Sequence, residues 1–316
     1  MKSKIEWTES TWNPVVGCSK VSSGCDNCYA EKMAGRLACM GQPKYMTVTK
    51  MVGTKPKFLQ KWNGHTFCDE SALEIPLHWK KSRMIFVSSM GDLFHPSVPF
   101  EFIAEVYKVA AFTEWHTYQF LTKRIKRALE FFKWLENKYT YDGEALMFRG
   151  EKTHWQYKPW PLPNVWLGTT AENQEMADKR IPILLQIPAA VRFVSVEPML
   201  GEMDLRKRID VTRGCCVDLL RGNFYDIIGR DGDGQAIFSD MPSGTIGHGR
   251  GIDWVIVGCE SGPKRRECKI EWVQSIADQC KQAGVPVFVK QIPINGKVVK
   301  DINQFPEDLR IREYPG

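Results

Sequence analysis

Short runs of β-branched and aromatic residues recur along the chain, and most are followed by a stretch with apolar residues every three to four positions. The runs are Trp12 to Gly17, Met84 to Met90, Thr117 to Thr122, Val165 to Thr170, Val191 to Val196, Trp254 to Cys259 and Val285 to Gln291. Helical patterns cover Tyr29 to Met40, Phe100 to Phe112, Ile125 to Asn137, a stretch closing at Leu185, and Glu271 to Ala283, and Cys68 to His78 reads as one more. Strands that are apolar along their whole length are buried on both faces, the environment of parallel β-α-β units. The fold expected is α/β, a partial or near-complete parallel (β/α) barrel of TIM type.

Polar residues gather where the runs stop: Ser88, Ser89 and Asp92; Thr122, Lys123 and Arg124; Thr169, Thr170 and Glu172; Glu197; Glu260 and Ser261; Lys290 and Gln291. In a parallel barrel the C-terminal strand ends form the rim that carries the site. Two stretches break the alternation, 138–163, rich in Tyr, Trp and Pro, and 204–251, rich in Gly, Asp and Arg. Both read as insertions on a single domain spanning 1–316. The second contains Ile227 to Phe238, where Asp-Gly steps favour a hairpin. Its Asp231 and Asp233 lack the other ligands and the closing Glu of a calcium loop.

One strand end differs in chemistry. Cys18, Cys25 and Cys28 follow Trp12-Asn-Pro-Val-Val-Gly and precede Tyr29-Ala-Glu, among small and turn-forming residues. The N-terminus lacks the apolar core of a signal peptide, and the apolar runs fall short of the roughly 18 to 20 residues of a membrane span. The expected location is the cytoplasm, without membrane association, where thiols stay reduced and clustered cysteines serve as metal or redox ligands. Cys39, Cys68, Cys215, Cys216, Cys259, Cys268 and Cys280 are scattered and read mainly as small buried hydrophobes.

Three soft thiolates suit a 4Fe-4S cluster that keeps one iron free of protein ligands. A zinc knot closed by a fourth ligand such as Cys39 is the alternative, and it would suit a nucleic-acid-interaction protein. No second Cys-x-x-Cys pair completes a zinc ribbon. A third reading is a TIM-barrel hydrolase that uses the rim carboxylates and keeps the cysteines for structure. With 43% hydrophobic and 25% charged residues the chain reads as a soluble protein of enzyme size. A formal charge of +6 suits a polyanionic partner. Lys55 to Trp62 and Arg149 to Trp160 mix basic and aromatic residues, a pattern compatible with phosphates and bases.

Taken together, the cysteine loop, Ser88-Ser-Met-Gly-Asp-Leu-Phe-His95, Phe120-Leu-Thr-Lys-Arg124, Arg192-Phe-Val-Ser-Val-Glu-Pro198 and the Trp254-to-Gly262 step resemble a phage-associated family of three-cysteine-motif proteins. That family is similar to a divergent branch of the radical S-adenosylmethionine (radical SAM) superfamily. The match covers most of residues 5–293 outside the two insertions. It implies a radical SAM barrel in which Cys18, Cys25 and Cys28 hold a 4Fe-4S cluster and the remaining iron chelates SAM. One electron, from a donor such as flavodoxin, then splits SAM to a 5′-deoxyadenosyl radical that abstracts a substrate hydrogen atom. The expected substrate is a nucleobase substituent of phage DNA, modified or rearranged in the bacterial host cytoplasm. A protein partner encoded nearby is also implied.

The cysteine spacing departs from the superfamily pattern, with six residues and then two where three and then two are usual. A loop absorbs three extra residues at little closure cost. Asn27 stands where an aromatic normally precedes the third cysteine, which leaves the adenine contact to Tyr29. By strand position, Ser88, Ser89 and Asp92 are expected at the methionyl ammonium, and Arg124, with Lys123 second, at the methionyl carboxylate. Thr170, Glu172 and Asn173 are expected at the ribose hydroxyls, and Glu197 and Glu260 occupy the same position on their own strands. His95 reads as a residue supporting the site or turning the chain before Pro96.

Overall fold

The apolar runs pair side by side. In the computed structural model, β1 (Ser10–Trp12), β2 (Met84–Val87), β3 (Thr117–Thr122), β4 (Val165–Thr170), β5 (Val191–Val196), β6 (Trp254–Gly258), β7 (Val287–Ile294) and β8 (Lys297–Val299) form one large sheet in that order. The structure describes residues 3, 5–53, 59–141, 145–149, 155–206, 208–212, 215–230, 236–238, 244–245 and 251–316. Pairing is parallel for β1 with β2, β2 with β3, β5 with β6 and β6 with β7, and antiparallel for β7 with β8. The architecture is therefore mixed α/β with a mostly parallel sheet, as the continuous apolar strands require. The strand path is open among the described residues, and closure into a barrel is not part of it. No helix among the described residues is long and apolar enough to cross a membrane.

The chain divides into two compact units, Met1–Leu167 and Gly168–Gly316. In the first, α1 (Tyr29–Cys39), α2 (Phe100–Phe112) and α3 (Ile125–Tyr139) accompany the early strands. Tyr107 of α2 stacks on Phe120 of β3 with ring centroids 4.8 Å apart, and Phe131 and Phe132 of α3 complete an aromatic core. In the second, α4 (Gln174–Leu184) and α5 (Ile270–Ala283) follow β4 and β6, and β5 and β6 are buried at every position. Gly284, at φ +69°, supplies the left-handed C-cap of α5.

Three local expectations are corrected. Trp12 to Gly17 is not one strand of the large sheet, since β1 is Ser10–Trp12 and Val15–Val16 pairs with Phe67–Cys68 instead. Cys68 to His78 is not a continuous helix but two 3-10 turns, Glu70–Ala72 and Ile75–His78, since Pro76 has no N–H for an α-helical ladder. The second strand stops at Val87, because Ser88 takes a left-handed φ of +58°. Within 138–163, Ala145–Arg149 pairs antiparallel with Trp155–Pro159. Within 204–251, Asn223–Arg230 pairs antiparallel with Ala236–Phe238. The Asp231 and Asp233 turn, and parts of the two basic-aromatic segments, lie outside the described residues.

Two glycines let the loops after β1 and β2 meet backbone to backbone. Gly17 sits at φ +93°, and its N–H donates to the Met90 carbonyl at 3.0 Å. A Cβ on Gly17 would lie 2.4 Å from the His65 carbonyl oxygen, and one on Gly91 would lie 2.9 Å from the Gly17 carbonyl oxygen. Gly17→Ala is expected to cost about 2–4 kcal/mol in urea unfolding, the sum of backbone strain and forced displacement. Gly41, at φ +77° with open space around it, serves as the control, and its Ala variant should show only the strain. Equal losses at the two positions would refute the close approach at Gly17.

Candidate functional site

The register Trp12–Val87–Phe120 brings the C-terminal ends of β1, β2 and β3 to one edge of the sheet. The segments leaving that edge carry Cys18, Asp92 and Arg124. After β1, Val15–Val16 pairs with Phe67–Cys68, Gly17 turns the chain, and the cysteine loop begins. Ser23–Cys25 forms one 3-10 turn, and Cys28 is the N-cap of α1. Helix α1 buries Ala34 and Ala38 in a small core with Val16, Tyr45, Val48, Trp62 and Met90, and Cys18 packs at its border. The loop is thus anchored at both ends. All three thiols are free and half-buried.

Arg124 is the centre of the polar side of this edge. Its Nη1 donates to Asp92 Oδ2 at 2.9 Å and lies 3.4 Å from Cys18 Sγ. Its Nη2 donates to the Ser19 carbonyl at 2.7 Å and to Ser19 Oγ at 2.9 Å. Asp92 Oδ1 accepts from Thr122 Oγ1 at 2.8 Å and from the Phe94 N–H at 3.0 Å. The ion pair is buried, with side-chain exposures of 9% for Arg124 and 7% for Asp92. The guanidinium that the sequence assigned to a methionyl carboxylate therefore clamps the first cysteine arm. Burial pushes the Cys18 thiol up to about 12, Asp92 adds to the rise, and Arg124 opposes it.

His95 completes the clamp. The Ser97 N–H donates to His95 Nδ1 at 3.2 Å, so Nδ1 is unprotonated and the ring is neutral, which leaves Nε2–H facing Ser19 Oγ at 2.9 Å. Burial, followed by the Arg124 charge, lowers its pKa from 6.5 to about 4, with Asp92 pulling the other way. Ser89 Oγ donates to Asn13 Oδ1 at 3.1 Å, which also accepts from the Met90 N–H at 2.9 Å. Ser88 is buried, and its Oγ has no hydrogen-bond partner among the described residues. Tyr29 opens α1 with 61% of its surface exposed.

In the second unit the expected contacts are engaged within the chain. Glu172 pairs with Arg180 at 2.9 Å, both buried, and Arg180 also donates to the Thr170 carbonyl at 2.7 Å. Asn173 caps α4 by accepting from the Met176 N–H at 3.0 Å. Glu197 pairs with Lys290, and Glu260 accepts from the Arg266 N–H at 2.8 Å and Nη2 at 2.5 Å. Sequence reasoning missed Asn13, Ser19 and Arg180, and it placed Thr122 at a strand end without naming what it bonds. Only adjacency to Cys18 could have drawn attention to Ser19.

Among the described residues, no three His, Cys, Asp or Glu side chains stand close enough to hold a metal ion as placed. Cys18, Cys25 and Cys28 share a loop without converging on one point. The donor set still fits an iron-sulfur centre, since three free thiols lie in eleven residues and none is spent in a disulfide. The buried Ser88 Oγ is left without a hydrogen-bond partner among the described residues, a state that costs about 1–3 kcal/mol.

Fold and site define a mixed α/β protein with a three-thiol loop clamped at the edge of a parallel sheet. The chain belongs to the DUF5131 family, described as a protein of unknown function, whose profile matches residues 2–304. No curated protein and no solved structure matches the chain.

Two outcomes follow from the clamp. Arg124→Gln leaves Asp92 buried and unpaired, and should cost about 3–5 kcal/mol by denaturant unfolding, with Arg124→Lys intermediate; a loss under about 1 kcal/mol would mean the pair is not needed. His95 has its folded pKa depressed, so its contribution is complete above pH 6.5 and is lost as pH falls toward about 4. Unfolding measured across that window should show a smaller acid loss in His95→Gln than in the parent, and identical profiles would contradict this.

Proposed function

We propose that the protein is a radical SAM enzyme, with Cys18, Cys25 and Cys28 as the thiolates that hold a 4Fe-4S cluster. The observation that carries this reading is the attachment of the cysteine loop to the strand ends. Arg124, from the end of β3, contacts both the Cys18 sulfur and the Ser19 backbone. When bound, such a cluster supplies one electron to SAM, whose cleavage gives methionine and a 5′-deoxyadenosyl radical able to abstract a substrate hydrogen atom.

The residues of this chain have narrower tasks. Arg124, Asp92, Thr122, Ser19 and His95 hold the Cys18 arm in place. Cys28 stands at the start of α1, where backbone N–H groups favour negative charge on a nearby ligand. Ser88 Oγ offers an acceptor to the methionyl ammonium. Since the Arg124 guanidinium is occupied, the methionyl carboxylate falls to Lys123, the second of the two basic residues after β3. Glu172, Asn173, Glu197 and Glu260 orient their own strand ends. The substrate is a nucleobase substituent of phage DNA, with a flavodoxin-like electron donor and a protein partner encoded nearby; the barrel type of the superfamily belongs to this same reading.

The rival readings find less support. In a zinc knot closed by Cys39, that residue would have to meet Cys28. The two sit at opposite ends of α1, about 16 Å apart at 1.5 Å per residue. A hydrolase working through rim carboxylates needs one of them free, yet Glu172, Glu197 and Glu260 each bind a cation of the chain.

The test is SAM cleavage under anaerobic reduction, followed as 5′-deoxyadenosine. The wild-type protein should release it, and Cys25→Ala should abolish it. Undiminished turnover in Cys25→Ala would overturn the proposal.

A further inference from the structure

The formal charge of the chain is not spread evenly. Residues 18–68 contain eight Lys and Arg against two Asp and Glu, which accounts for the whole net charge of +6. Within this stretch Lys20 pairs with Asp26 at 3.5 Å and Lys61 with Glu31 at 2.6 Å, so both acids are already used. Lys32 and Arg36 are exposed and have no carboxylate partner among the described residues.

Helix α1 sets the direction of these charges. Its buried positions, Glu31, Ala34, Gly35 and Ala38, define one side. The closeness of that side to the strand Leu59–Trp62 is marked by Gly35, where a Cβ would lie 2.9 Å from the Gln60 carbonyl oxygen. At about 100° per residue, Tyr29, Lys32, Arg36 and Met40 fall within an arc of about 80° on the opposite side. Tyr29 and Met40 are exposed by 61% and 74%. The outward stripe of α1 therefore reads aromatic, cation, cation, thioether, and it starts one residue after Cys28.

We propose that this stripe is a docking surface for a single-stranded polynucleotide, with Lys32 and Arg36 on consecutive phosphates and Tyr29 as a platform for a base. Cations that track a backbone beside an exposed ring are the chemistry of sequence-tolerant strand binding. Chemistry on a base also requires the base out of its duplex stack, which favours unpaired substrate beside the cysteine loop. The proposal rests on the nucleic-acid part of the function proposed above. It moves Tyr29 from an adenine contact to a substrate contact.

The experiment is fluorescence anisotropy of the full-length protein with a labelled 30-nucleotide oligothymidine and with a 30-base-pair duplex, at several salt concentrations. Lys32→Glu/Arg36→Glu should weaken binding of the single strand at least about tenfold and lower the log-log salt slope by about 1.4, two phosphates at roughly 0.7 each. Tyr29→Ala should weaken it by about fivefold to a hundredfold, the range for one stacked base. Lys32→Gln/Arg36→Gln repeats the test without charge reversal. Wild-type affinity and slope in both charge variants, a preference for duplex, or tighter capture of polyglutamate than of oligonucleotide overturns the proposal. Iron content and 5′-deoxyadenosine release, measured on the same samples, keep the two claims apart. They should stay unchanged in the charge variants, and strand binding without any cluster would sink the radical reading while leaving the surface intact.

Discussion

The buried ion pair between Arg124 and Asp92 fixes the geometry of the cysteine edge. Each partner sits on a segment leaving a different strand, and a charge so buried is tolerated only when it is paired and hydrogen-bonded. Arg124 meets that condition by donating to Asp92 and to both oxygens of Ser19, and Asp92 by accepting from Thr122 and Phe94 as well. Three separate stretches of sequence are thereby tied to one guanidinium. Displacing the Cys18 arm would strand several of these groups at once.

The apolar side of the same loop depends on close backbone approach. Gly17 and Gly91 bridge the two loops where a side chain would collide with backbone oxygen, and α1 seals its small faces against the strand Leu59–Trp62. One end of the thiol loop is set by polar contacts and glycine geometry, and the other by helix packing. Between them lies a stretch with a single 3-10 turn, Ser23–Cys25.

Much of the architecture was legible in the residues. Continuous apolar runs such as Val191–Val196 became strands buried at every position, and the periodic stretches became α1 to α5. Cys68 to His78 misled because its apolar spacing is helical while Pro76 forbids the ladder. The strand ends that carry polar groups were also legible, but their partners were not. That Arg124 faces Asp92 and Glu197 faces Lys290 depends on packing between segments distant in sequence, and that Glu172 faces Arg180 depends on how α4 turns back over the strand end it follows. A charged residue at a strand end looks the same in sequence whether it awaits a ligand or is already paired. The left-handed Ser88 and its unpartnered hydroxyl were hidden for the same reason.

The central claim is that the three thiols of the clamped loop hold an iron-sulfur cluster. Metal content and the visible spectrum of the anaerobically purified protein test it most directly. A brown protein with a broad band near 400 nm and roughly four irons per chain is the predicted result. A colourless protein with about one zinc per chain would contradict it.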